Sequence, residues 1–144
     1  MAVQIESTVL IARPVEVVFP FLLDLEQSAA TDPNLVSVEK TLPGPIGVGT
    51  TYILRQRIQG RIRESTTRYT GIEPNRRIEF EADLGPIAAR ASIAVEPVEG
   101  GTRVIVRGGG TPRGVLKLFS GRFQHIGQRA WDERLAQVKA ALDG

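Results

Sequence analysis

From Thr50 to Arg107 the chain alternates apolar and polar residues, and turn-forming pairs interrupt the alternation at Gln59-Gly60, Pro74-Asn75, Gly85-Pro86 and Glu99-Gly100. Period-two alternation sends successive side chains to opposite faces of a strand, so this stretch predicts an antiparallel meander. Val3–Val9 alternates in the same way and predicts a further strand. Leu35–Thr41 predicts another, closed by the proline- and glycine-rich turn Pro43–Gly49. Helical spacing governs two other stretches. Ala12-Arg13-Pro14 opens a helix whose apolar face is Val15, Val18, Phe19, Leu22 and Leu23, with a short helix following around Glu26. Thr111-Pro112 reads as an N-cap with proline at the first helical position, opening a long helix to about Leu142. Val115, Phe119, Phe123, Ile126 and Ala130 form its first apolar stripe, and Trp131, Leu135, Val138 and Leu142 continue it.

Placing each turn pair at the centre of a two-residue hairpin loop fixes the register of the meander. Gln59-Gly60 then sets Arg55 opposite Glu64, Leu54 opposite Ser65 and Tyr52 opposite Thr67. Pro74-Asn75 sets Arg68 opposite Glu81 and Tyr69 opposite Phe80, while Glu99-Gly100 sets Glu96 opposite Arg103 and Val95 opposite Val104. Three separately placed hairpins thus give opposite-charge pairs on one face, each worth about 0.2–1 kcal/mol. The other face collects Tyr52, Leu54, Ile58, Tyr69, Ile78, Phe80, Ala82, Ala91, Ile93, Val95, Val104 and Val106. A slip of one residue would exchange the two faces, so the agreement specifies a sheet with one wet and one dry side.

With 144 residues, 42% hydrophobic and 24% charged, the chain fits one globular domain. No apolar run approaches the ~18 residues of a membrane helix. The N-terminus lacks the basic and apolar regions of a secretion signal, so the expected compartment is the cytoplasm. The chain has no cysteine, which excludes disulfides, thiolate catalysis and cysteine-ligated metal. Its single histidine, His125, excludes multi-histidine metal sites and reads as an ordinary exposed helical residue, with a cavity general base near Phe123 and Ile126 as the alternative. No metal or cofactor is expected. Seven arginines lie between Ile53 and Arg77 against Glu64 and Glu73, a pattern open to a basic patch or to a solvated sheet face. The alternation favours the face, and nucleic acid is not an expected partner. Glu79, Glu81 and Asp83 point outward by the same alternation. Arg107–Gly114, RGGGTPRG, sets glycines before a helix but lacks the lysine and Ser/Thr of a phosphate loop, and reads as a strand-to-helix connection.

The order of strand, helix pair, six-strand meander and long C-terminal helix resembles the START-like, helix-grip superfamily of polyketide cyclases/dehydrases and lipid-transfer proteins. The likeness is closest at IARPVEVVFPFLLD (Ile11–Asp24), GPIGVGTTY (Gly44–Tyr52), IEPNRRIEF (Ile72–Phe80) and RLAQVKAAL (Arg134–Leu142). Where many relatives carry tryptophan before the Asp-Pro that is here Asp32-Pro33, this chain has Thr31. The resemblance implies an α+β fold, with a curved antiparallel sheet of about seven strands, two short helices and a long C-terminal helix over an apolar cavity. It implies a small hydrophobic ligand (a lipid, polyketide-like or isoprenoid molecule) for that cavity.

Candidate lining residues are Tyr52, Leu54, Gln56, Arg63, Thr67, Tyr69, Phe80, Ala82, Ala91, Ile93, Val106, Phe119, Phe123 and Ile126. Small residues on the dry face (Ala82, Ala89, Ala91, Gly108) either admit a close helix approach or leave a void. Ser7, Gln56, Arg63, Ser65, Thr67 and the two tyrosines share that face as candidate polar contacts. Tyr52 and Tyr69 either polarise a ligand carbonyl, with Arg63 holding an anion, or simply fill the core. Two other readings stay open: a cofactor-independent cyclase/dehydrase-type enzyme, and a macromolecular partner bound by the basic outer face.

Overall fold

The structure, a computed structural model, describes residues 3–85, 87–114 and 120–143. Seven strands, β1 (Val3–Ile11), β2 (Leu35–Lys40), β3 (Thr51–Ile58), β4 (Arg61–Glu73), β5 (Arg77–Asp83), β6 (Ile87–Val98) and β7 (Gly101–Pro112), form one antiparallel sheet in the order β1-β7-β6-β5-β4-β3-β2. Helices α1 (Val15–Leu23) and α2 (Leu25–Ser28) and a 3-10 turn (Ala29–Thr31) connect β1 to β2, and α3 (Ser120–Asp143) closes the described chain. This is the expected helix-grip architecture. Asp24 ends α1 and caps α2 in turn, its side chain accepting from the Glu26 N–H at 3.0 Å.

The predicted register holds in all three hairpins. Arg55 lies opposite Glu64, Arg68 opposite Glu81 and Glu96 opposite Arg103. Their side chains meet at 2.8, 2.6 and 2.6 Å on the outer face. At Gln59-Gly60 both loop residues have positive φ, 52° and 78°, which suits the right-handed twist of the flanking strands. The second hairpin reaches the predicted pairing by another route. Its loop has three residues, Pro74-Asn75-Arg76, so that Glu73 pairs with Arg77. A bulge between Tyr69 and Gly71 absorbs the extra residue and restores Tyr69 opposite Phe80.

The start of the last helix differs from the expectation. Thr111 and Pro112 end β7, opposite Ala88 and Ile87, and do not cap a helix. Among the described residues the β1 pairing reaches Gly110, opposite Val3, and beyond it the neighbour of β7 is β6 alone. A proline without an N–H is tolerated at such an edge. Phe119 and Val115 lie outside the described residues.

The core forms where the inner sheet face meets α1 and the C-terminal half of α3. Tyr52, Val18, Val104, Val106 and Val138 are wholly buried there, with Ile11, Tyr69, Ile78 and Leu135 beside them. α3 runs beside the free edge of β1, in the same direction. Gln124 exchanges two hydrogen bonds with the backbone of Gln4, and Gln128 does so with Glu6. Asp132 accepts from the Ser7 hydroxyl at 2.5 Å, Lys139 donates to the Leu10 carbonyl at 2.6 Å and Asp143 accepts from the Ala12 N–H at 2.8 Å. Two strand residues rise ~6.6 Å and four helical residues ~6.0 Å, so an i, i+2 edge and an i, i+4 helix face stay nearly in step. The side chains satisfy backbone groups that would otherwise offer β1 to another strand.

Candidate functional site

Cross-strand register assembles the inner face row by row. Tyr69, Phe80, Ala91 and Gly108 are successive neighbours across β4, β5, β6 and β7, and Tyr52, Thr67, Ala82, Ala89 and Gly110 form the adjacent row. Toward α1 the face is sealed by Ile78, Val95 and Val104. Toward the β3–β4 and β5–β6 turns it opens, and Gln56, Ser65, Thr67, Ala82, Ala89 and Ala91 stay partly exposed although they face inward. The inner face is therefore buried at one end and partly exposed at the other, and the partly exposed end is the candidate recess.

Of the expected lining residues, Tyr52, Leu54, Tyr69, Phe80, Ile93 and Val106 form the buried floor, and Gln56, Thr67, Ala82, Ala91 and Phe123 are partly exposed. Arg63 stands opposite Gln56 near the β3–β4 turn and is exposed, as is Ile126 on α3. Part of the small-residue signal has a backbone cause. A Cβ on Gly108 would lie 2.5 Å from the Ala91 Cβ and 2.6 Å from the Arg90 carbonyl oxygen. Glycine at this position lets β6 and β7 approach as they coil.

Polar groups converge on the floor. The Tyr69 hydroxyl donates to the Leu23 carbonyl, and the Tyr52 and Tyr69 rings meet edge-on at 5.9 Å. The Tyr52 hydroxyl is buried with no hydrogen-bond partner among the described residues. Burial, then the Asp24 and Glu26 carboxylates, push its pKa up to about 12, against a weaker pull from the Leu25 backbone. Burial also raises Tyr69, with the neighbouring Tyr52 and Asp24 adding and Arg134 opposing. Both phenols are therefore protonated donors at neutral pH and supply no phenolate base.

Two further side chains enter from α3. Trp131 lies 6.1 Å from the Phe80 ring, centroid to centroid, and the Arg134 guanidinium carbon lies 5.7 Å from the Trp131 centroid. Burial of its guanidinium lowers the Arg134 pKa, with the charge of Asp32 and the nearby Tyr69 opposing. Asp32 accepts from the Gln56 amide and from the Asn34 N–H, each at 2.8 Å. Sequence reasoning placed Trp131 on the apolar stripe and missed Arg134 and Asp32. The signal for Arg134 was its spacing, three residues after Trp131 and one before Leu135, which sets a charge inside the apolar stripe.

The outer face is different in kind. An open groove of about 1190 Å3 is lined by charged outer-face residues, Glu6, Arg68, Glu81, Asp83, Arg107 and Arg113, and also by Ala82, Ala89, Gly108 and Gly110 of the inner rows. Arg68 pairs with Glu81, Arg107 with Glu6 and Arg113 with Asp83 at 2.6–3.3 Å, so the groove is walled by matched charges. Among the described residues no cluster of three or more metal-ligating side chains is present, and no helix is long and apolar enough to cross a membrane.

A curved sheet gripping a long helix defines the helix-grip class, and solved structures similar to the chain agree. It aligns over 99% of its length with Ara h 8.0201 (TM-score 0.79, 15% identity, 98% of that chain). It aligns equally far with the Zhui aromatase/cyclase from Streptomyces sp. R1128 (TM-score 0.80, 17% identity, 94% of that chain). It also matches the di-domain aromatase/cyclase StfQ of the steffimycin biosynthetic pathway (TM-score 0.81, 12% identity), covering 99% of this chain and 51% of that one. Residues 2–143 match the family described as polyketide cyclase/dehydrase and lipid transport, and the chain belongs to that family. No curated protein matches it by sequence.

Proposed function

We propose that this protein binds a small hydrophobic molecule, of lipid, polyketide-like or isoprenoid type, in the recess between the inner sheet face and α3. One observation carries the reading. Inward-facing small residues, Ala82, Ala89 and Ala91, stay partly exposed beside the buried aromatic Phe80, where a packed core would have filled the space. Membership of a family described by lipid transport and polyketide chemistry supports it, as does the fold shared with an aromatase/cyclase. Native mass spectrometry of protein purified from its own host tests it directly, with co-purified ligand as the expected result. Titration with the neutral dye N-phenyl-1-naphthylamine is the second arm. Protein that carries no small molecule and leaves the dye dark would overturn the reading.

A cyclase/dehydrase-type activity has one observation on its side. The protonated Tyr52 hydroxyl, buried with no acceptor in hydrogen-bonding geometry among the described residues, is a donor able to polarise a ligand carbonyl. Cyclisation of a poly-β-carbonyl substrate by the wild type, lost in Tyr52→Phe with binding retained, would establish it.

A further inference from the structure

Arg134 is the one charged side chain that α3 sends among the aromatic residues of the recess, and its bonding is unlike that of the outer-face arginines. Arg55, Arg68 and Arg103 each hold a carboxylate at 2.6–2.8 Å. Arg134 has no carboxylate oxygen within 4.0 Å and donates no hydrogen bond among the described residues. A guanidinium carries five N–H donors in a planar fork, and those of Arg134, which is half-buried, have no protein acceptor among the described residues. The one charge that faces it, Asp32, has both oxygens engaged by Asn34 and Gln56. Asp32 thus balances the charge without occupying the donors. The guanidinium lies over Trp131, which itself meets Phe80, so a flat apolar surface and an unused cationic fork adjoin.

We propose that Arg134 is the specificity-determining anchor of the recess, selecting ligands with a flat apolar body that ends in a planar oxyanion, a carboxylate or an enolate. The body packs on Trp131 and Phe80 while the oxyanion accepts two parallel N–H bonds from the fork. This rests on the binding reading above and adds the chemistry of the ligand's polar end.

The test uses 2-naphthoate and its neutral methyl ester, which share one ring system. Trp131 is the sole tryptophan and reports occupancy through its fluorescence. Arg134→Met, which keeps an unbranched apolar stem and removes the guanidinium, is expected to weaken 2-naphthoate by about tenfold or more, since hydrogen bonds to charged groups are worth about 1.5–3 kcal/mol. The ester should bind the variant as it binds wild type. Arg134→Lys should fall between them for the acid, keeping the charge and losing the fork. Because a half-buried cation without a paired carboxylate adds little to the unliganded fold, the Tm of Arg134→Met should equal or exceed that of wild type. Equal weakening of acid and ester, or no change in either, overturns the proposal. A Tm that falls in both variants marks a structural cation and also overturns it. If neither probe moves Trp131 in the wild type, the binding reading fails and this one with it. Ester binding with an unselective Arg134 refutes this proposal alone.

Discussion

Gly108→Ala adds one methyl group where the structure has no room for it. The new Cβ would sit 2.5 Å from the Ala91 Cβ, 2.6 Å from the Arg90 carbonyl oxygen and 2.7 Å from the Ala91 Cα. Directly opposed Cβ atoms in an antiparallel pair are ordinarily about 4.5–5.5 Å apart, so the deficit is roughly 2 Å. Two of the three obstacles are backbone atoms of the paired strand, which no rotamer change can move. The β6–β7 ribbon must therefore open locally, and overpacking of this kind costs about 1–3 kcal/mol. Each kcal/mol shifts Tm by roughly 2–4 °C near this chain length, so the expected fall is about 2–12 °C. Differential scanning calorimetry of Gly108→Ala, Ala91→Gly and the double variant separates the contacts. The double variant should recover part of the loss and not all of it, because the Arg90 carbonyl contact remains. A Gly108→Ala melt within 1 °C of wild type would refute the reasoning that tight coiling selects glycine there.

Other expectations follow from single features. Gly121→Ala, where an added Cβ meets nothing within 4 Å, should raise stability by up to about 1 kcal/mol in a chemical denaturation. Gln128→Leu removes both bonds to the Glu6 backbone and should cost about 1 kcal/mol, with faster amide exchange at Glu6 as its local signature. In an alkaline titration at 295 nm, the folded protein's two tyrosines should show no tyrosinate at pH 10, where a free phenol is half ionised, and Tyr52 should titrate near 12. Unfolded phenols lose protons first, so stability should fall as pH rises above about 10. The carboxyl of Asp143 is held below its ordinary range by Lys139, with the Ala12 N–H adding. Its contribution should be present above the usual carboxylate pKa of about 4 and lost as pH falls through the depressed value, and Asp143→Asn should flatten that acid limb.

The sheet was legible because its face and register errors are self-revealing. Arg55–Glu64, Arg68–Glu81 and Glu96–Arg103 could be read as pairs because one misplaced residue would have turned a charge inward. The Pro74-Asn75 hairpin was right in its pairs and one residue short in its loop. A bulge at Thr70 has no strong local signature, and two deviations of opposite sense cancel in the pairing. Thr111-Pro112 misled because threonine followed by proline suits a helix start and a strand end equally. Here pairing with Ala88 and Ile87 of β6 decides for the strand, a tertiary matter. In the site, Tyr52, Tyr69 and Phe80 were legible from alternation alone. Arg134 was not, because a lone arginine on a helix is ordinarily solvated, and only the packed neighbours Trp131, Leu135 and Val138 show that its side of α3 faces in.

The near match between the β1 edge and α3 works as a vernier with a limited run. Each step of two strand residues against four helical residues slips by ~0.6 Å, so the registers drift apart by nearly a bond length every two or three steps. That drift is visible in the chemistry. Two glutamines reach alternate backbone sites at Gln4 and Glu6, and then the pattern changes to an aspartate on the Ser7 hydroxyl and a lysine on the Leu10 carbonyl. Side-chain length and type take up the slip that backbone geometry imposes. Length variation along this seam is consequently quantised. A single-residue insertion in α3 between Gln124 and Gln128 rotates the second glutamine by roughly 100° away from the edge. An insertion of four residues matched by two in β1 preserves the seam, so the two elements can be lengthened only together.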